Sequence, residues 1–168
     1  MKYIIETERL YLKELHLSDA PFIVELLNSP GWLQYIGDRN VSDIKKAEEY
    51  LKNGPLKSYV ELGYGLSLVV LKNSNKSVGM CGLLKREYLE HPDIGFAFLS
   101  EFMGKGYALE IAMALKQYAE VHWHVKKLCA IVQSDNDRSV KLLKKLGLSF
   151  KEKITSPTTN EKIDLYSN

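Results

Sequence analysis

The sequence lacks the features that mark secreted, metal-binding and membrane-spanning proteins. It has only two cysteines, Cys81 and Cys129, each inside an apolar run, which indicates free thiols of a reducing compartment, although one disulfide stays open. No Cys/His cluster has the spacing of zinc ligands, so we expect no metal. No apolar run approaches the ~18 residues that cross a membrane, and the opening MKYIIETERL turns acidic too early for a signal peptide. We therefore expect a cytoplasmic protein that does not act on a membrane.

The chain also has no large excess of positive or negative residues. The chain has 23 Lys and Arg against 21 Asp and Glu, a formal net charge of +2. Nucleic-acid-binding proteins present a clustered basic face, so we expect no nucleic-acid partner. Repeats, low-complexity segments and linkers are absent as well. The length of 168 residues, with 45% hydrophobic residues, predicts one globular domain over residues 1–168 with a single core.

A glycine-rich stretch, EFMGKGYALEIAMALKQY (residues 101–118), is the main chemical signal. Gly104 and Gly106 flank Lys105 directly before an amphipathic helical pattern. The unpaired N–H groups and the dipole at a helix start favour an anion, and glycines let a bulky phosphate come close. The Gly-x-x-x-x-Gly-Lys-[Ser/Thr] pattern of nucleotide-hydrolysing enzymes is absent. A turn that only packs the helix on a sheet is the alternative.

The periodicity of the chain predicts the element order β-α-α-β-β-β-α-β-α-β-β, which suits a mixed sheet with helices on both faces. Residues 29–40 are predicted to form a loop. Predicted strands lie at 9–15, in a hairpin over 63–86, at 92–102, at 126–133 and on either side of the Ser156-Pro157 turn. Predicted helices lie at 18–28, from Ser42 to a stop signal at Asn53-Gly54-Pro55, from Gly106 to His122, and at 135–147.

Three stretches carry a family resemblance: ETERLYLKEL, DIGFAFLSEFMGKGYALE and NDRSVKLLKKLGL. They resemble the opening strand, the fourth strand with its phosphate loop, and the N-x-x-S-x-x-L-x-x-x-L-G helix of the RimJ/RimL-like branch of the GNAT acyltransferases. The resemblance covers nearly the whole chain. It implies an α/β (α+β) fold with a mixed, mostly antiparallel sheet, flanked by helices on both faces and splayed between strands four (92–102) and five (126–133).

The same resemblance implies an N-acetyltransferase that uses acetyl-CoA as co-substrate and a small-molecule or peptide amine as acceptor, acting as a monomer or homodimer. An acyl-CoA-binding or partner-binding module without catalysis is the alternative. Glu101 and Leu143 favour that alternative, because the family commonly has Gln or Arg at the first position and Tyr at the second. A carboxylate at 101 would oppose a pyrophosphate unless it points away.

The resemblance also places the coenzyme. Backbone amides from Met103 through Ala108 would bind the pyrophosphate, and the pantetheine arm would lie between the two splayed strands. Asn136 would hydrogen-bond that arm, or it would only cap the helix that follows. The cofactor-binding residues implied are Phe98, Leu99, Met103, Gly104, Lys105, Gly106, Tyr107, Ala108 and Asn136.

Two side chains are implied for catalysis. Asp93 would accept a proton from the amine, directly or through a water, with Glu87 and His91 as rivals in the same segment. Ser139 would protonate the departing thiolate in place of the usual tyrosine. The alternatives are an exposed strand-end carboxylate for Asp93 and a helix cap for Ser139. A backbone N–H near Phe98 or Leu99 would stabilise the oxyanion.

Aromatic and cationic residues far from the coenzyme motifs are candidates for the acceptor pocket. Together they suggest an acceptor that carries an acidic group beside its amine. The alternative for each residue alone is core packing or solvent exposure, and we expect packing for Trp123. The substrate-binding candidates are Trp32, Tyr35, Arg39, Tyr64 and Arg86.

Overall fold

The computed structural model describes residues 3–168, and the first two residues of the predicted domain lie outside that range. The described chain contains eight strands and six α-helices. The strands are β1 (Ile5–Glu6), β2 (Leu10–Glu14), β3 (Leu66–Leu71), β4 (Ser77–Leu84), β5 (Asp93–Phe98), β6 (Cys129–Val132), β7 (Ser149–Thr155) and β8 (Lys162–Ser167). The helices are α1 (Ala20–Leu27), α2 (Pro30–Tyr35), α3 (Ile44–Leu51), α4 (Lys57–Leu62), α5 (Tyr107–His122) and α6 (Asp137–Lys145).

All eight strands form one sheet in the order β1-β2-β3-β4-β5-β6-β8-β7. Every neighbouring pair is antiparallel except β5 and β6, which run parallel. Those two strands share a single register pair, Asp93 with Cys129, and separate beyond it. The predicted fold class is confirmed, including the splay between these two strands.

Two hydrophobic layers hold the helices on opposite faces of the sheet. Successive strand residues point to opposite faces, so Val69 packs in the layer with α5 while its neighbour Leu68 packs in the layer with α1 and α3. From the helices, Ile111 and Leu115 fill the first layer, and Ile23 the second. The alternating apolar runs of the central strands therefore bury both faces of the sheet.

Three predictions of local structure were wrong. The predicted loop at 29–40 contains α2, which begins at a proline whose fixed φ suits the first helical turn. The helix predicted to stop at Asn53-Gly54-Pro55 instead continues through a π-helical segment, Lys52–Leu56, into α4. The wider π turn accommodates Pro55, which has no N–H to donate. The two-residue strand β1 was not predicted, because it is too short to show a period.

Gly82 provides a test of how closely β3 and β4 pack. A Cβ atom at this position would lie 2.5 Å from the Cα of Leu66 and even closer to the carbonyl oxygen of Gly65. Because both contacts are backbone atoms, Gly82→Ala should lower the free energy of unfolding by about 1–3 kcal/mol. Gly54→Ala is the control, since a Cβ there has nothing within 4 Å. Denaturant unfolding that gave both variants the same stability would contradict this close packing.

Candidate functional site

A cleft of about 1440 Å³ opens where β5 and β6 separate. Its walls come from both strands, from the segment before α5, from α2, α4 and α6, and from the turn between β7 and β8. The cleft brings together most of the predicted site residues, but Leu99, Lys105 and Tyr64 are not among its lining. Those that line it are Trp32, Tyr35, Arg39, Arg86, Asp93, Phe98, Met103, Gly104, Gly106, Tyr107, Ala108, Asn136 and Ser139.

The glycine loop, residues 103–106, precedes α5 at one end of this cleft. Gly104 and Gly106 have φ angles of +72° and +81°, in the left-handed region that favours glycine. The amide of Met103 donates to the carbonyl of Ser100 at 3.2 Å. The amides of residues 104–108 find no acceptor within residues 3–168. Of the six N–H groups predicted to bind an anion, the five of residues 104–108 are therefore available at the start of a 16-residue helix.

Arg9 fixes the glycine loop from outside the cleft. Its Nη1 donates to the carbonyl of Lys105 at 3.0 Å, its Nε lies 2.6 Å from Oε2 of Glu110, and its guanidinium stacks on the ring of Tyr107 at 4.5 Å. Burial acts to raise the pKa of Glu110, but hydrogen bonds from Thr7 and Arg9 lower it on balance. Sequence reasoning missed this role, because Arg9 lies about a hundred residues before its partners.

Glu101 points away from the glycine loop. Its Oε1 lies 2.7 Å from Nζ of Lys76, in the turn between β3 and β4, and this hydrogen bond raises the pKa of the lysine. The carboxylate is therefore paired with a cation rather than directed at an anion on the loop. Lys105 is exposed, and its Nζ lies 5.5 Å from the centre of the Phe102 ring.

The start of α6 forms the opposite wall of the cleft. Asn136 caps this helix, because its Oδ1 accepts the amide of Ser139 at 3.2 Å. Its Nδ2 donates to no other group in the described chain, so the cap leaves this amide free for a ligand. Ser139 is half-buried and its hydroxyl likewise has no partner among residues 3–168. Leu143, one turn further, is buried in the core below the cleft.

Asp93 is a buried carboxylate at the base of the cleft, with 2% of its surface exposed. Its Oδ2 lies 2.6 Å from Nε of Arg86. Burial raises the pKa of Asp93, and Arg86 and the amide of Ile131 oppose that shift without cancelling it. Asp93 is thus not an exposed strand-end carboxylate. Its rivals Glu87 and His91 do not line the cleft.

The backbone of β5 offers a free donor at the cleft. The amide of Leu99 donates to the carbonyl of Val78 on β4 at 3.0 Å. Because successive strand residues direct their N–H groups to opposite edges, the amide of Phe98 faces the gap towards β6. Of the two donors considered for an oxyanion, only that of Phe98 is therefore directed at the cleft.

The predicted acceptor residues separate into two groups. Tyr35, Arg39 and Arg86 line the cleft. Trp32 lines it as a buried wall, since its Nε1 donates to the carbonyl of Gly37 at 3.0 Å. Tyr64 lies elsewhere and packs on Trp123 with ring centres 5.4 Å apart.

Two tyrosines that sequence reasoning missed complete the acceptor end of the cleft. Tyr50 on α3 and Tyr88 after β4 both line it. Burial raises the pKa of Tyr50, while the positive charges of Arg39 and Arg86, which line the same cleft, act to lower it. Burial acts to lower the pKa of Arg86, but Asp93 and Tyr88 raise it on balance. No local motif marks either tyrosine, and only the fold places them beside the two arginines.

Within residues 3–168, no group of three or more His, Cys, Asp or Glu side chains could hold a metal ion. In the same range, no helix is long and apolar enough to span a membrane. Cys81 and Cys129 are free and buried.

The comparisons with known proteins agree on one family. A family model described as an acetyltransferase (GNAT) domain matches residues 9–149. The uncharacterized N-acetyltransferase p20 of Bacillus licheniformis is 26% identical over 143 residues, which cover 84% of this chain and 79% of p20.

Solved structures show the same fold. An acetyltransferase from Agrobacterium tumefaciens has a TM-score of 0.82 at 20% identity, covering 100% of this chain and 94% of that one. RimL, a ribosomal L7/L12 alpha-N-protein acetyltransferase solved in complex with coenzyme A, has a TM-score of 0.83 at 15% identity, covering 99% and 97%.

Gly106→Trp should abolish acetyl-CoA binding if the loop amides hold its pyrophosphate, because a side chain there would meet Nη2 of Arg9, 3.3 Å from the position of a Cβ, and so displace the residue that holds the loop. Gly63→Trp is the matched control, since Gly63 ends α4 at a φ of +77°, has nothing within 4 Å of a Cβ, and does not line the cleft. Both variants carry the same backbone strain, about 1–2 kcal/mol. Calorimetry with acetyl-CoA should show loss of binding in the first variant only, and unchanged binding in both would contradict this location.

Proposed function

Because the chain belongs to the GNAT acetyltransferase family, we propose that it transfers the acetyl group of acetyl-CoA to a primary amine of a small molecule or a protein N-terminus. The match to the family model confirms two predictions made from the sequence, the GNAT family and the N-acetyltransferase class. One observation carries the proposal: five consecutive amides without an acceptor in the described chain, residues 104–108, begin a 16-residue helix at the mouth of the gap between β5 and β6.

The geometry of this end of the cleft suits an anion on the glycine loop. Unpaired N–H groups and the helix dipole both favour the pyrophosphate there. The separated edges of β5 and β6 suit the pantetheine arm, whose amides pair as a strand does, and Nδ2 of Asn136 is free to join them. RimL, which has the same fold, was solved with coenzyme A.

Three groups of this chain can serve the chemistry. The reaction forms a bond from nitrogen to the acetyl carbon, breaks the carbon–sulfur bond and removes a proton from the ammonium group of the acceptor. Asp93 accepts that proton directly or through a water, and the amide of Phe98 donates to the oxygen that becomes negative. Ser139 donates a proton to the departing sulfur and regains one from the nitrogen, which gives up its second proton as the intermediate collapses to the amide. Leu143 cannot do so, since it carries no proton donor.

The alternative is a module on the same fold that binds acyl-CoA without transferring the acyl group. Leu143 in the usual tyrosine position favours it. Glu101 does not oppose coenzyme binding, because its carboxylate pairs with Lys76 and is directed away from the loop. Such a module would bind acetyl-CoA and release no thiol with any amine. Cytoplasmic location and a monomeric or homodimeric state stay predictions.

Asp93→Asn should lower kcat by about 10²-fold or more and leave acetyl-CoA affinity unchanged. The base acts only when ionised. The wild-type rate should therefore fall as pH decreases through the raised pKa of Asp93, and the rate of the variant should not show this fall. Asp164→Asn is the control, because Asp164 is also a buried carboxylate, 2.7 Å from Nζ of Lys153, but lies outside the cleft. The rate of thiol release, measured as a function of pH, gives the profiles of both variants. If the rate of the Asp93→Asn enzyme falls at low pH as the wild-type rate does, Asp93 is not the base.

Ser139→Ala should lower kcat by about 10²-fold with little change in coenzyme affinity. Its hydroxyl is bound to no other described residue, so its removal should disturb little else. Ser139→Thr keeps a hydroxyl and should retain most of the rate. If thiol release is the same in wild type and in both variants, no acid acts from this position.

A further inference from the structure

A smaller cavity of about 440 Å³ adjoins the acceptor end of the cleft. We name it the side pocket, and its lining includes Arg39, Lys46, Glu49, Tyr50, Asn53 and Gly54. Four of these residues, Arg39, Tyr50, Asn53 and Gly54, also line the cleft itself. The side pocket and the cleft are therefore adjacent, and Tyr50 and Arg39 border both.

The two arginines near Tyr50 differ in what they are free to bind. Arg86 is committed to Asp93, at 2.6 Å. Arg39 is exposed and forms no ion pair within residues 3–168. Lys46 adds a second cation, whose Nζ donates to the hydroxyl of Ser42 at 3.1 Å. With Glu49 as the acidic residue of its lining, the side pocket has a positive balance of charge.

We propose that the side pocket binds an anionic group of the acceptor, so that the substrate class is an amine that also carries a carboxylate or a phosphate. This inference rests on the proposed function. The amine end lies towards Asp93 and the anionic end towards Arg39, with Tyr50 between them. A guanidinium group is suited to both anions, because its planar donors match their paired oxygens.

This arrangement disfavours acceptors with a second positive charge. A polyamine that placed one amine near Asp93 would direct its other ammonium groups at Arg39 and Lys46. Like charges at short range repel, most strongly where the site is partly shielded from water. The side pocket therefore selects for an anion and against a cation at the same position.

The test compares acceptors with and without an anionic group. The pairs are β-alanine with β-alaninamide, O-phosphoethanolamine with ethanolamine, and the dipeptide amides Ser-Asp with Ser-Asn. Thiol release with acetyl-CoA gives kcat/KM for each. At least one anionic member should exceed its neutral partner by about 10-fold or more, the effect of one well-placed charged hydrogen bond. The pair that does so identifies the source of the anion as a carboxylate, a phosphate or an acidic residue next to a protein N-terminus.

Arg39→Gln should remove that preference by raising KM for the anionic acceptor towards that of its neutral partner. Arg39→Glu should favour the neutral member. Lys45→Gln is the control, since Lys45 is exposed on α3 and lines neither cavity. Retention of the preference in Arg39→Gln would overturn the role of the side pocket.

Failure of this inference can be distinguished from failure of the proposed function. Thiol release with neutral and anionic acceptors at equal kcat/KM would overturn the inference alone. Binding of acetyl-CoA without thiol release from any amine would overturn the proposed function, and the inference with it.

Discussion

The single parallel pairing between β5 and β6 is the constraint on which the site depends. Joined only at Asp93 and Cys129, the strands hold the sheet together and then leave two backbone edges facing each other across a gap. The other edge of β5 is fully paired with β4, and that of β6 with β8, so the gap cannot close by a shift of either strand. One side of the gap receives the start of α5 and the other the start of α6.

The location of Asp93 follows from the same constraint. It occupies the last point at which the two strands still touch, where the carboxylate is buried and the cleft begins. A carboxylate placed there must be paired with a cation or become protonated, and Arg86 supplies the pairing. The residue that joins the two halves of the sheet is therefore also one whose proton affinity is highly sensitive to its surroundings.

The sequence predicted those parts of the molecule whose signals are local. Gly104 and Gly106, with a strand before and a helix after them, marked the loop, and the Asn136 stretch marked the cap of α6. Helix α2 was missed because Pro30 stands among turn-forming residues in the sequence, although its fixed φ suits a first helical turn. The continuation through Pro55 was missed because Asn-Gly-Pro signals a helix stop, whereas a π-helical segment accommodates the proline in the fold. Tyr50 and Arg9 had no local signal, since each acts on residues far away in the chain. Only the three-dimensional arrangement brings them to the site.

Arg9 ties the beginning of the chain to the glycine loop. The guanidinium group that holds this loop comes from the residue just before β2, about a hundred residues away from Lys105 and Glu110. Contacts of such long sequence separation carry a loop-closure entropy cost. This contact requires β2 to lie in the same sheet as β5, the strand that precedes the loop. The shape of the glycine loop therefore depends on the pairing of parts of the chain that are far apart in the sequence.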